Sequence, residues 1–334
     1  MQQLQQALYS AVDSRSLELI LFPTEQCNFR CVYCYEDFKL GQMSQSVVSG
    51  IKALIQHRIP DLQVLTISWF GGEPLLGLRV IEDISEHIVS LVQQHPHIHY
   101  AAGMTTNAYL LSLTTASRLV SLGINKFQVS LDGEKELHDS TRRRADGGDS
   151  FDRIWGNLLA FRDSDLAADI LLRVHLSTEN LFSVKELLRR INETFGEDRR
   201  FRVFLKPIGK WDGSSDKSLP VLAPDQINDV ITRLGQSLDR IQLTNQEMEI
   251  EHLCYASKAN SFAIRSDGSV AKCTVALADP RNRVGQLSED GKIVFDRDRL
   301  GLWLHGLETG NPEYLACPYQ KLASERVLSQ PKAL

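Results

Sequence analysis

The chain has 334 residues, 43% hydrophobic and 24% charged, an ordinary make-up for a globular protein with a proper core. A net charge of −5 rules out a global basic field, so neither nucleic acid nor an anionic membrane is an expected partner. No apolar run approaches the roughly 18 residues that span a bilayer, and Met1 to Gln6 lack the basic-then-apolar pattern of an export signal, so a cytoplasmic location is expected.

After an N-terminal extension, 1–16, an apolar run at 17–22 reads as a strand. It leads into Cys27-Asn28-Phe29-Arg30-Cys31-Val32-Tyr33-Cys34-Tyr35, three thiols spaced C-x3-C-x2-C. Thiols so close can converge on one metal centre, or they can be buried structural cysteines. A lone zinc normally takes four protein ligands. Three thiolates on a [4Fe-4S] cluster leave one iron open to a substrate or cofactor. Six cysteines in a reducing compartment suggest metal ligands more than disulfides.

From there strand and helix alternate. Strands are expected at 64–70, 99–106, 126–131, 169–176 and 201–206, with helices at 44–58, 80–94, 112–122, 151–162 and 184–195 between them. Ser44 and Ser112 have the character of N-caps. Six β-α units predict a parallel sheet buried on both faces. They are too few for a closed eight-stranded barrel, so an open α/β partial barrel is expected, with its chemistry at the C-terminal ends of the strands. Several landmarks fall there. Gly71-Gly72-Glu73 follows the second strand, where the glycines permit close backbone approach and Glu73 offers a carboxylate to a cation. Asn107 ends Thr105-Thr106-Asn107 after the third. Ser130-Leu131-Asp132-Gly133 follows the fourth, ahead of His138-Asp139-Ser140-Thr141-Arg142. Arg142-Arg143-Arg144 also reads as a solvated charge run. Arg173 and His175 share one face of the fifth strand, as core, rim or cofactor-facing residues.

The polar stretch from Trp211 to Ser218 reads as a linker, and a helix over 224–240 is expected to bridge to a last module. That module carries Asp267-Gly268, a hairpin-turn signal, and the other three cysteines, Cys254, Cys273 and Cys317. These divisions give a core at 17–210, a linker and bridging helix at 211–245 and a C-terminal α+β module at 246–334.

The cysteine loop, with Tyr33 before its last thiol, resembles that of the radical S-adenosylmethionine (SAM) superfamily. The resemblance implies a partial (β/α)6 barrel and a SAM-binding [4Fe-4S] cluster on Cys27, Cys31 and Cys34. It implies SAM contacts from Tyr33, from the Gly71-Gly72-Glu73 motif (whose Glu73 would take the methionyl ammonium), and from Asn107, Ser130 and Arg142. The Ser130–Gly133 and His138–Arg142 stretches resemble those of peptide- and sulfatase-modifying members. Cys254, then thirteen residues, Gly268, four residues and Cys273 resembles the start of the SPASM/twitch extension, which holds auxiliary Fe–S clusters. With Cys317, this implies one auxiliary cluster, expected to be [4Fe-4S], whose fourth ligand is unnamed. The implied activity is cleavage of SAM to a 5′-deoxyadenosyl radical that takes hydrogen from a side-chain carbon. The substrate would be a ribosomally made precursor peptide, cross-linked or otherwise modified, and electrons would come from a flavodoxin- or ferredoxin-type donor. A twitch-type small-molecule dehydrogenase and a non-catalytic Fe–S redox sensor are the alternatives. Thr274 stands where sulfatase-maturing relatives carry a basic aspartate. Asp279 is the nearest carboxylate downstream, and no general base is assigned.

Overall fold

The computed structural model describes residues 2–211, 218–244 and 253–329. Its elements in chain order are α1 (Gln2–Val12), β1 (Ser16–Leu21), β2 (Phe29–Cys31), α2 (Gln45–Arg58), β3 (Val64–Trp69), α3 (Leu78–Gln94), β4 (His99–Thr106), α4 (Leu113–Ser121), β5 (Ile124–Leu131), α5 (Lys135–Thr141), β6 (Arg142–Arg144), α6 (Phe151–Arg162), β7 (Asp169–Leu176), α7 (Leu181–Phe195) and β8 (Phe201–Pro207). Then come α8 (Ile227–Gly235), β9 (Gln242–Leu243), β10 (Ser261–Ile264), β11 (Ser269–Ala271), β12 (Arg283–Leu287), β13 (Ile293–Phe295), α9 (Arg297–Thr309), α10 (Pro312–Ala316) and α11 (Pro318–Ser329).

The six expected strands are β1, β3, β4, β5, β7 and β8, adjacent and parallel in that order, forming an open partial barrel. Ser44 and Ser112 are the N-caps expected, accepting from the Val47 and Thr115 amides. The sheet is not buried evenly on both faces. Along β3, Leu65, Ile67 and Trp69 are buried, while residues 64, 66 and 68 are half-buried. An unclosed barrel carries helices on its convex side only, so the concave side remains a trough. The bridging helix is shorter than its sequence pattern. A 3-10 turn over Pro224–Gln226 precedes α8, which ends at Gly235. The expected linker residues 212–217 lie outside the described residues.

Two features differ from the modular expectation. β10 pairs in parallel with β1, from Glu18↔Ser261 to Leu21↔Ile264, and β10 to β13 then run antiparallel. The C-terminal strands therefore extend the barrel sheet and form no sheet of their own. The N-terminal residues are also structured: α1 packs against the start of β10, where the Ala259 amide donates to the Ala11 carbonyl (2.8 Å). The Asp267-Gly268 turn does join β10 to β11, with Gly268 at φ +77°. No helix among the described residues is long and apolar enough to cross a membrane.

Candidate active site

The cysteine loop leaves the C-terminal end of β1 and is held at both flanks. On one side Gly71 and Gly72 let the end of β3 lie against it. A Cβ on Gly71, at φ +111°, would stand 2.3 Å from the Thr24 carbonyl, and one on Gly72 would stand 2.5 Å from that of Gln26. The Glu73 amide then donates to the Gln26 carbonyl (3.0 Å). On the other side β2 and β6 form a small antiparallel ribbon, pairing Phe29↔Arg144, Arg30↔Arg143 and Cys31↔Arg142. This ribbon decides the fate of the arginine run. Arg142 is buried and Arg143 exposed, while Arg144 is half-buried with its guanidinium over the Tyr109 ring. The charge-run reading holds only for Arg143.

Glu73 is fully buried. Its Oε1 accepts from the Leu75 amide (3.0 Å) and the Thr106 hydroxyl (2.8 Å), and its Oε2 from the Asn107 amide (2.7 Å). Burial pushes its carboxyl pKa up, against those three donors. A carboxylate offers about four lone-pair sites, so one remains for a cation. Asn107 also donates its Nδ2 to Asn28 Oδ1 (2.8 Å), with Cys27 Sγ at 4.0 Å, so strand end and cysteine loop share one polar cluster. Its neighbour Ala108 sits at φ +60°, a left-handed conformation unusual for alanine. Ser130 is buried on β5, in register with Arg173 of β7.

Below the loop lies a network of which only Tyr33 and Arg142 were expected at the site. The Tyr33 hydroxyl donates to Asp132 Oδ1 (2.8 Å) and lies 3.1 Å from His175 Nδ1, which is itself 3.1 Å from Asp132 Oδ1. Arg142 Nη1 donates to the Tyr33 oxygen (2.7 Å), and Thr141 Oγ1 donates to Asp132 Oδ2 (2.7 Å). Burial would raise the Asp132 carboxyl. The His175 bond and the Arg142 cation overcome it and hold that carboxyl well below the usual range. Burial drives His175 down to about 4, so it is neutral, and a proton on Nδ1 suits the acceptor it faces. Asp132 stands in a strand-end landmark and His175 had cofactor-facing among its readings, but their pairing was not expected, because nothing local in the sequence marks a pair 43 positions apart.

The three thiols are half-buried. Burial raises all of them, Cys34 to about 12 despite the Glu36 amide that donates to it, and the Glu73 charge raises Cys27 further. Protonated thiols in such surroundings need positive charge to ionise, which is what iron supplies. Among the described residues no three His, Cys, Asp or Glu side chains could hold a single metal ion. Three thiols also fall short of the four protein ligands that a lone zinc normally takes. A cluster is not bound by that restriction, because each thiolate takes a different iron. The donor set fits a cluster.

The second cysteine set is held differently. Asn282, buried, accepts at Oδ1 from the Lys272 (3.0 Å) and Cys273 (2.9 Å) amides and donates from Nδ2 to the Cys273 (2.7 Å) and Ala276 (3.0 Å) carbonyls. The Cys254 amide donates to the Leu315 carbonyl (2.9 Å), beside Cys317, and Ser257 Oγ reaches the same carbonyl (2.8 Å). Burial raises Cys254 to about 12 and Cys273 to about 11, and Cys317 weighs on both. The topology thus brings three thiols together across 63 residues of sequence, from 254 to 317. Thr274 shares a hydrogen bond with the Tyr255 hydroxyl (2.7 Å). Asp279 is engaged by Arg281 through both carboxylate oxygens, so it is no free base. Between the two sets, Glu25 binds Arg265 through both oxygens (3.0 and 2.5 Å), tying the cysteine loop to the β10–β11 turn.

A family model described as the radical SAM superfamily matches residues 21–191. A GTP 3′,8-cyclase from Sulfurimonas denitrificans is 34% identical over 116 residues, which cover 33% of this chain and 32% of that protein. The match thus spans about a third of the curated relative's length. Among solved structures, anSMEcpe with bound AdoMet and the Kp18Cys peptide superposes with a TM-score of 0.66 at 18% identity, covering 86% of this chain and 80% of that one. Streptococcus suis SuiB bound to precursor peptide SuiA gives 0.60 at 15%, covering 92% and 70%. At these identities the two structures speak for the fold.

Proposed function

The chain belongs to the radical SAM superfamily, and from that premise we propose that it modifies a ribosomally made precursor peptide at a side-chain carbon. Cys27, Cys31 and Cys34 hold the SAM-binding [4Fe-4S] cluster. A cluster held there would supply the electron for reductive cleavage of SAM to methionine and a hydrogen-abstracting 5′-deoxyadenosyl group. Glu73 takes the methionyl ammonium at its remaining lone pair, which also relieves the burial of its own charge. Asn107, Ser130 and the Gly71-Gly72 backbone line the same strand ends, and Tyr33 closes the loop side. Cys254, Cys273 and Cys317 hold an auxiliary Fe–S cluster, a reading supported by their shared burial and mutual influence. A flavodoxin- or ferredoxin-type protein is the proposed electron donor.

The observation that carries a peptide substrate is a cavity of about 570 Å³ at the C-terminal end of β8. Phe204, Ile208, Trp211, Leu222, Ile231 and Tyr319 line it, with α8 and α11 as walls. Its aliphatic and aromatic walls suit peptide side chains, while Lys206 and Lys210, which also line it, would suit an acidic side chain or a phosphate alike. A second reading, cyclisation of GTP, is favoured by the name of the curated relative. Anaerobically reconstituted protein, reduced and supplied with SAM, separates them by mass spectrometry. Peptides encoded beside the gene should lose two hydrogens as a cross-link forms, with one 5′-deoxyadenosine released per peptide changed. Consumption of GTP in step with 5′-deoxyadenosine, with every such peptide unchanged, would establish the second reading.

A further inference from the structure

We propose that the cavity at the end of β8 holds an acidic side chain of the substrate, with Lys206 and Lys210 as the two cations that receive its carboxylate. The inference rests on the reading that the substrate is a peptide.

Three observations carry it. The first is sign. Lys206 and Lys210 line the cavity, and among the described residues no aspartate or glutamate does, in a chain whose net charge is −5. Like charges that face one cavity repel each other, and an anion between them turns that cost into attraction. The second is place. His175 and Lys206 are register partners in the parallel β7–β8 pair. Neighbouring strands lie about 4.8 Å apart, and paired residues stand on the same face of the pleat. On that face His175 meets Tyr33 and Asp132. An anion held by Lys206 is thus anchored one strand away from the network under the cysteine loop. The third is the shape of the loop that leaves β8. A Cβ on Gly209 would stand 2.7 Å from the Trp211 ring, so an alanine there would push the indole away. With the indole folded back onto Gly209, Lys206, Lys210 and Trp211 all line the one cavity.

The number and kind of donors favour a carboxylate over a phosphate chain. Two ammonium groups match the single charge of a carboxylate and can both hydrogen-bond to it. A triphosphate carries more negative charge than two ammonium groups neutralise. Arginine, whose planar fork binds phosphate through two bonds, is absent from the lining among the described residues. Asn228 and Gln320 also line the cavity and offer amides to a peptide backbone. The remaining walls are mostly apolar and suit the side chains on either side of the acidic one.

The test is equilibrium binding to the cluster-loaded protein, read by fluorescence anisotropy at low salt. The probes are dye-labelled hexapeptides with leucine and phenylalanine flanks that differ only in a central glutamate, glutamine or lysine. The glutamate peptide should bind about tenfold more tightly than the glutamine peptide, the margin of a charge-assisted over a neutral hydrogen bond. The lysine peptide should bind least, and added salt should erode the preference. In Lys206→Gln/Lys210→Gln the preference should fall below about twofold. Lys206→Arg/Lys210→Arg keeps both charges and should retain it. Lys210→Gln alone, at an exposed position, should lose part of it and keeps the inference testable if the double glutamine variant fails to fold. Equal affinity for the glutamate and glutamine peptides in the native protein would overturn the inference, as would a preference that the glutamine variants keep. GTP that displaces the glutamate peptide, with an affinity that depends on the same lysines, would assign the cations to phosphate and overturn it too. The reading beneath it fails in another way. A lysine-dependent preference for glutamate, with every peptide encoded beside the gene left unmodified, would sink the peptide-modifying reading and leave the acidic subsite standing.

Discussion

The two cysteine sets are framed by opposite kinds of chemistry. Around Cys27, Cys31 and Cys34 the fold gathers charge: Glu73 and Asp132 fully buried, Arg142 beside them, and the Glu25–Arg265 pair at the flank. Around Cys254, Cys273 and Cys317 it gathers neutral donors and acceptors: the Asn282 amide, the Tyr255, Ser257 and Thr274 hydroxyls and backbone carbonyls. Lys272, fully buried with burial lowering it to about 7, and the Asp279–Arg281 pair are the charged exceptions. Buried charge is costly unless a partner compensates it. A charged frame therefore suits a site that receives a zwitterion, and a neutral frame suits one that only needs to hold its shape.

The largest expected effect follows from that contrast. If the protein carries the two proposed four-iron clusters, replacing Cys27, Cys31 and Cys34 by alanine should abolish SAM cleavage and remove about half of the iron. Replacing Cys254, Cys273 and Cys317 should remove the other half and suppress product, yet leave uncoupled release of 5′-deoxyadenosine. Iron and nucleoside assays on folded variants, checked by circular dichroism, decide it. Loss of SAM cleavage in both variants would erase the distinction.

A smaller effect is expected from Glu73→Gln. The amide keeps an acceptor for the Thr106 hydroxyl and loses the charge. Charge-assisted bonds are worth roughly 1.5–3 kcal/mol, so SAM affinity should fall about tenfold or more by equilibrium binding, with the iron content unchanged.

The smallest effect is on stability against pH. His138 and His175 have folded values near 4, below the ordinary 6.5. Unfolded chains bind those protons first, so the stability conferred by these neutral histidines is complete above about 6.5 and declines as pH falls toward 4. Denaturant midpoints measured across that window should decline, and His138→Phe should flatten the slope. An equal slope in that variant would show that the charged frame, and Asp132 above all, dominates instead.

Much of this was readable in the chain. The six barrel strands carry their period in apolar residues, and Ser44, Ser112 and Asp267-Gly268 announce themselves through local rules of capping and turning. Glu73 and the first cysteines stand out because the loop chemistry is compact. What escaped was pairing at a distance. The β2–β6 ribbon joins segments of three residues each, too short for a periodic signal, yet it converts an apparently solvated arginine into a buried one. Asn282 looks like any loop asparagine until its four bonds around Cys273 are seen. The junction of β1 with β10 was hidden because both strands read equally well as edges of separate sheets.

That junction has a mechanical consequence. Four consecutive residues of β10 are locked in register with β1, and the cysteine loop springs from the end of β1 just as the Arg265–Gly268 turn springs from the end of β10. The cysteine loop and the turn leading to Cys273 are therefore tied to neighbouring strands of one sheet, with no free linker between those two strands.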